Sequence, residues 1–258
     1  HELQLRLETE LKLNYTSHLW SVISKCTEQF LISKSTYEMF ADTFEIIGLA
    51  TNVDHIFYYE NNLQTQIISQ KYKWAKQNIR LQITPLRTFS HEDFYQILKL
   101  AKNKKPFIAS TDKIEDSLLK NLLVNNEIKS IIIIPLFLFN EFSGFIGFDS
   151  CSYERTWTGE EINIFQVLAN TISSVIERST TEKLVNESEE RFRLLANNIP
   201  GTVYLSKFDE KWTKIYLNDQ IELLTGYPKS AFIDDKMSFS ELLHEEDKDA
   251  IVVNSVEK

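Results

Sequence analysis

The sequence predicts an α+β fold: an antiparallel sheet with helices on both faces, a long connecting helix, and then a smaller α+β unit. Three observations predict it. Residues 128–149 contain two apolar runs rich in β-branched and aromatic residues, I-K-S-I-I-I-I-P-L-F-L-F and F-S-G-F-I-G-F, joined at Asn140-Glu141. Each run is too short for a typical helix, so the pair reads as a hairpin. The first run is apolar on both faces, since Ile131, Ile133 and Phe137 alternate with nothing polar. A strand of that kind belongs at the centre of a sheet that is covered on both sides. Finally, T-G-E-E opens a long helical pattern at Thr158, where Thr158 is the cap and Glu161 its third-position partner.

The composition is that of a well-packed chain of one or two domains: 258 residues, 43% hydrophobic and 25% charged. The net charge of −9 is uneven, because residues 182–258 hold 16 acidic and 10 basic side chains and so carry −6 of it. An acidic surface argues against nucleic acid or an anionic membrane as partner. The cluster Lys99, Lys102, Lys104 and Lys105 ends a predicted helix, where cations complement the dipole. The longest apolar run, Ile131 to Phe139, falls far short of the ~20 residues that span a bilayer. Charges interrupt every apolar segment near the start, unlike a signal peptide. We therefore expect a cytoplasmic protein with no membrane segment, and His1 in place of an initiating Met leads us to expect a fragment. Cys26 and Cys151 form neither a disulfide framework nor a metal-ligand spacing.

Taken in order, Leu3 to Tyr15 carries two competing patterns. Its leucines alternate as in a strand, but Arg6/Glu10 and Glu8/Lys12 are i,i+4 pairs and Leu7/Leu11 fit one helix face. We expect a helix, continued by Ser17 to Ile32. A second helix opens at Ser35 with a capping box to Glu38, buries Phe40, Phe44 and Ile47, and ends near Gly48. Strands follow at Asp54 to Glu60 and Gln66 to Trp74, with a turn at Asn61-Asn62. Ser90 to Asn103 is helical, burying Phe94, Ile97, Leu98 and Ala101. Pro106 ends that helix, Phe107 to Ser110 is a short strand, and Leu118 to Val124 a short helix. Within the central hairpin, Pro135 marks a bulge or unpaired position, and Gly144 and Gly147 mark a bend or a close approach to the backbone.

This order, together with I-I-I-I-P-L, G-F-I-G-F and T-G-E-E-I-N-I-F-Q-V-L-A-N-T-I-S-S-V-I-E, resembles the GAF domain over roughly Ser17 to Arg178. The resemblance implies a pocket for a small molecule on one side of the sheet. In the long helix, Ile162, Phe165, Ala169, Ile172 and Ile176 repeat in steps of 3 and 4, a coiled-coil-like seam. Glu177 to Lys183 then lacks apolar side chains, and apolar positions resume out of phase at Val185, Phe192, Leu195 and Ile199.

Further on, E-E-R-F-R-L-L-A-N-N-I-P-G, Y-L-N-D-Q-I-E-L-L-T-G-Y and L-L-H-E-E-D resemble the first half of a PAS domain. His244-Glu245 departs from the family's usual proline after the histidine, and its last three strands are missing before Lys258. The expected division is therefore 1–16 a leading helix or linker, 17–178 a GAF-like sensor domain, 179–190 a helical linker, and 191–258 a PAS-like half-domain.

A GAF domain joined by a helix to a PAS domain implies the sensory region of a bacterial signal-transduction protein, a sensor histidine kinase in the first instance. The alternatives are a ligand-free module for dimerisation and relay, or the regulatory part of a cyclic-di-nucleotide enzyme. A methionine sulfoxide reductase is the enzymatic option, and two cysteines far apart give it no motif. We find no nucleophile elbow, no phosphate-cradling loop and no kinase output motif, and so expect no catalysis from this chain. Neither cysteine is followed by histidine, as a bilin-attaching cysteine commonly is. S-K-F-D-E at Ser206 to Glu210 resembles the N-K-F-D-E of cyclic-nucleotide-binding relatives but lies in the PAS-like part. His18, His55 and His91 read as hydrogen-bonded or solvated side chains rather than haem ligands. No cofactor follows from the sequence. The pocket residues expected to meet a flat ligand are Phe57, Tyr59, Tyr72, Trp74, Phe107, Phe137 and Phe148, with Asp112 (and Ser110 and Asp149) as polar groups at its mouth. A homodimer through the terminal helices is the expected assembly.

Overall fold

The computed structural model describes residues 2–32, 36–77, 88–115, 117–207 and 213–246. The chain forms two units, residues 1–180 and 181–258.

The first unit is built on the central hairpin. Strands β5 (Ser130–Leu138) and β6 (Glu141–Ser150) pair antiparallel, with Ile132 opposite Phe148 and Ile134 opposite Ile146. The two-residue connection is Phe139-Asn140, one residue earlier than the sequence suggested. Both residues have positive φ, 50° and 67°, as the twist of a tight hairpin requires. Strand β1 (His55–Asn62) pairs with β6 and with β2 (Ile67–Ala75), and β4 (Phe107–Ser110) flanks β5. A three-residue strand, β3 (Thr88–Ser90), completes the antiparallel order β3-β2-β1-β6-β5-β4.

Local chemistry explains where the strands stop. Asn62 belongs to the end of β1, and its side-chain oxygen accepts from the Gln64 and Thr65 amides, so the turn falls at residues 63–66, two residues later than Asn61-Asn62. Ser90 pairs with Ile67 in β2, which delays the following helix, α3, to Tyr95–Lys102. Ser90 and Asp93 still exchange amide bonds as at a helix start. Pro135 sits two residues beyond the β4 ladder, which reaches only Ile133, and beside a register shift after Leu136. Its missing N–H therefore falls where only one neighbouring strand is present.

Helices α1 (Glu2–Ile32), α2 (Thr36–Thr51) and the first part of α5 (Gly159–Asn198) cover one face. Leu19, Cys26, Phe44, Ile47, Phe165 and Ile172 are buried there against Ile56, Ile132, Ile134 and Phe148. The expected α5 seam is thus engaged with the sheet, since Phe165, Ala169 and Ile172 are fully buried in this layer. The box at Thr158 and Glu161 forms as expected, with reciprocal bonds of 2.9 and 3.2 Å. The box expected at Ser35 lies outside the described residues. Helices α3 and α4 (Ser117–Asn125) cover the other face, burying Ile97, Leu119 and Leu123 against Tyr59, Ile131, Ile133 and Phe145.

In the second unit, β7 (Tyr204–Ser206) and β8 (Lys214–Leu217) form a hairpin, followed by α6 (Gln220–Thr225) and α7 (Lys229–Ile233). Gly226 ends α6 in the left-handed region, φ 76°, with its amide on the Glu222 carbonyl. Leu217, Ile221 and Phe232 form a small core. Asn218 is buried and fully used: it donates to the Ala196 and Gly201 carbonyls and accepts from the Val203 amide. Residues 208–212, most of the cyclic-nucleotide look-alike, lie outside the described residues.

Candidate functional site

Alternation along the strands gathers the site. On β1, His55, Phe57 and Tyr59 point to the face covered by α3 and α4, and on β6 their partners are Asp149, Gly147 and Phe145. A bulge between Tyr58 and Tyr59 skips Lys71, so Lys73 lies opposite Phe57 and Gln70 opposite Tyr59, both on this same face. Gly147 is needed here. A Cβ on it would stand 2.0 Å from the Phe57 ring, which lies over the glycine. Gly144 is more tightly constrained, since a Cβ there would meet the backbone carbonyl oxygen of Tyr59 at 2.1 Å.

Between this face and α4 lies a cavity of about 60 Å³, lined by His55, Phe57, Tyr59, Gln70, Lys73, Phe145 and Asp149 from the sheet and by Leu119, Leu123 and Asn126 above. It has room for a few waters at the ~10–15 Å³ each requires. A tetrapyrrole is far larger. The floor is mainly aromatic, and Tyr59 stacks on Phe145 at 5.1 Å between centroids.

At one end stands a buried polar cluster. His55 and Asp149 are 4% and 1% exposed. His55 Nδ1 lies 2.9 and 3.2 Å from the two Asp149 oxygens and 3.7 Å from Cys151 Sγ, which itself lies 3.7 Å from Asp149 Oδ1. Asp54 anchors the segment, accepting from the Cys151 amide (2.6 Å), the Ser152 amide (2.9 Å) and the Ser152 hydroxyl (3.0 Å). Burial raises the Asp149 carboxyl above the ordinary carboxylate range, against the pull of His55 and Lys73. Burial also raises the Cys151 thiol, and the Asp149 and Asp54 charges push it further. His55 Nε2 is buried and has no hydrogen-bond partner among the described residues.

Of the residues expected to line a pocket, the structure brings Phe57, Tyr59 and Asp149 together. Tyr72 and Trp74 pair with Tyr58 and Ile56 and so point to the opposite face, with Phe148. Tyr72 packs against Phe40 and Phe44 of α2, and Phe148 stacks on Phe165 of α5 at 3.9 Å. Phe107 is buried on the cavity's side of the sheet but outside the cavity lining; with Ser110 it borders a second groove near Trp157. Phe137 meets Phe142 and the Lys104 ammonium near the hairpin tip. Asp112 is exposed in the 3-10 turn Thr111–Lys113. Aromatic density alone does not assign a face; strand parity does. Counting in twos from Phe57 reaches His55 and Tyr59, and from Asp149 reaches Cys151. That signal was in the sequence. The bulge that adds Gln70 and Lys73 was not.

The GAF domain family model matches residues 36–176. The chain is 27% identical over 179 residues to the methanogenesis regulatory histidine kinase FilI of Methanothrix harundinacea (strain 6Ac). That alignment takes in 67% of this chain and 20% of FilI, so the chain spans about a fifth of that relative's length. Two solved structures share the fold, the phycocyanobilin-bound and the phycoerythrobilin-bound GAF domains from a cyanobacterial phytochrome. Both have TM-scores of 0.57, at 18% and 17% identity; each covers 64% of this chain and, respectively, 96% and 97% of the solved one. No helix among the described residues is long and apolar enough to cross a membrane.

Proposed function

The chain belongs to the GAF domain family, and from that premise we propose that it is the sensory region of a signal-transduction histidine kinase. It takes a small ligand in the cavity beneath α4 and relays its state along α5. The observation that carries this reading is the construction of β6. Its Asp149 lines the cavity and its Gly147 lies beneath the Phe57 ring that also lines it, while the intervening Phe148 stacks on Phe165 of α5 from the other side. A shift of β6 on ligand binding therefore moves a ring packed on the output helix. A second tie lies at the hairpin tip, where the Phe139 amide donates to the Glu177 carboxylate of α5.

On this reading residues 191–258 are the opening half of a PAS domain. The β7-β8 hairpin, the glycine-ended α6 and the L-T-G-Y segment support it, and Tyr204, Leu205 and Ile215 are more than half exposed, as strands awaiting neighbours would be. We assign the chain no reaction of its own. The bilins of the two solved relatives belong to those proteins, and the small cavity here favours a much smaller ligand. The second reading, a ligand-free relay and dimerisation module, draws on exposed apolar residues of α1, among them Leu3, Leu7 and Leu11.

Native mass spectrometry of freshly purified chain separates the two. The sensory reading expects an organic ligand at one copy per chain, lost when Leu123→Trp fills the cavity. A chain that carries no organic mass and binds none from a metabolite extract supports the relay module instead.

A further inference from the structure

We propose that His55 Nδ1, Asp149 and Cys151 Sγ form a three-ligand site for a divalent cation of the zinc class, with the fourth position open to the cavity. Sequence spacing puts Asp149 and Cys151 on one face but does not bring His55 to them, because His55 comes from β1 and the other two from the end of β6, and they meet only through the antiparallel register.

The geometry selects this chemistry over two others. Metal–ligand bonds of ~2.0–2.3 Å in a tetrahedron place N, O and S donors about 3.3–3.6 Å apart. The three separations here are 2.9–3.2, 3.7 and 3.7 Å, close to that triangle without rearrangement. A nucleophilic cysteine relay needs thiol and carboxylate on opposite nitrogens of the imidazole. Here both meet Nδ1, and Nε2 has no partner among the described residues. A plain His–Asp ion pair leaves the sulfur unexplained: Sγ stands 3.7 Å from Nδ1, Asp149 Oδ1 and the Asn126 carbonyl, three neighbours for one thiol proton.

The surroundings fit a cation. Asp54 and Asp149 are both buried beside Cys151, two carboxylates facing the one ammonium of Lys73, and buried carboxylates are costly unless positive charge balances them. The carboxylates of Asp54 and Asp149 favour a bound dication. Asp54 holds Cys151 in place through two amides and a hydroxyl, so the sulfur is positioned in advance. On binding, Cys151 releases its thiol proton to solvent and the proton held between His55 Nδ1 and Asp149 leaves that hydrogen bond, so that Cys151 coordinates as thiolate, Asp149 as carboxylate, and His55 through Nδ1 with its ring proton on Nε2. The N, O and S donor set suits zinc, and cobalt reports on the same geometry.

The test is cobalt titration of the 258-residue chain under reducing conditions. The expected result is a thiolate-to-cobalt charge-transfer band with the intense visible bands of tetrahedral cobalt, saturating at one equivalent and reversed by zinc. Cys151→Ser removes the charge-transfer band and, like His55→Gln and Asp149→Asn, raises the cobalt Kd by more than the ~100-fold upper range for residues that only orient a ligand. Cys26→Ser, on the opposite face of the sheet, changes neither. Because substitutions at buried positions can unfold the domain, zinc protection of Cys151 from alkylation in the unaltered chain is the companion measurement. No charge-transfer band with excess cobalt, or a band that survives Cys151→Ser, or zinc that fails to slow Cys151 labelling, overturns the proposal. These readouts report coordination alone, so they stand apart from the sensory reading.

Discussion

Replacing Arg155 with alanine removes the cation from a buried knot that fastens three helices to one face of the sheet. The Arg155 and Glu161 side chains are 8% and 4% exposed. The guanidinium donates to Glu161 and, at 2.8 Å, to the Thr51 carbonyl at the end of α2, and it lies 4.6 Å from the Trp157 ring centroid. Glu161, in the first turn of α5, also accepts from the Thr158 amide and from the Tyr15 hydroxyl of α1, both at 2.9 Å. Truncation leaves the carboxylate buried without a countercharge. Breaking such a pair from one side costs about 3–5 kcal/mol, which at ~2–4 °C per kcal/mol lowers the melting midpoint by roughly 6–20 °C. Burial alone would raise the Glu161 pKa, but the Thr158 amide, Arg155 and Tyr15 outweigh it and hold it below the ordinary range. A carboxyl depressed in this way stabilises the fold above its unfolded value of about 4.3. That contribution is lost as pH falls through the lowered folded value. Calorimetric melts of both chains should therefore differ most at neutral pH and converge in acid. A neutral-pH shift under ~2 °C, or an equal shift at acid pH, refutes the reasoning.

Phe148→Ala removes the ring stacked on Phe165 and should cost about 3–5 kcal/mol in urea unfolding, while Leu223→Ala, at an exposed position of α6, should stay within about 0.5 kcal/mol. Gly144→Ala brings a methyl against the Tyr59 carbonyl and should lower stability by about 1–3 kcal/mol. The Cys26 thiol is fully buried, and burial pushes its pKa up to about 12. It should resist alkylation in the native chain and react in urea; equal rates in both would contradict its placement. Light scattering at high concentration should show a dimer that Leu3→Lys with Leu7→Lys dissociates, whereas a wild-type monomer removes the helices from any role in assembly.

Much of the fold was legible because it rests on periodicity. The two-sided apolar run at Ile131–Phe137 requires cover on both faces, and the Thr158–Glu161 box marks the start of α5 in four residues. The errors in the elements were of one or a few residues, where a side chain's own hydrogen bonds moved a turn, as at Asn62, or where a short edge pairing, as at Ser90, displaced a helix start. The site was less legible. Tyr72 and Trp74 look like pocket aromatics until their cross-strand partners are known, and only the register against β1 turns them to the other face. His55, Asp149 and Cys151 lie up to 96 positions apart and meet only through strand pairing.

The central claim, relay of the GAF domain's state through α5, rests on the segment 177–183, E-R-S-T-T-E-K, which lies within the continuous helix and carries no apolar side chain. The direct measurement is output activity of the proposed parent kinase with residues inserted after Thr180. One added residue turns the helix beyond it by ~100°, and seven return it to within ~20° of its original face. The account predicts that one residue changes the response strongly and that seven largely preserve it. Equal effects of the two insertions would show that α5 is a tether, and would contradict the relay.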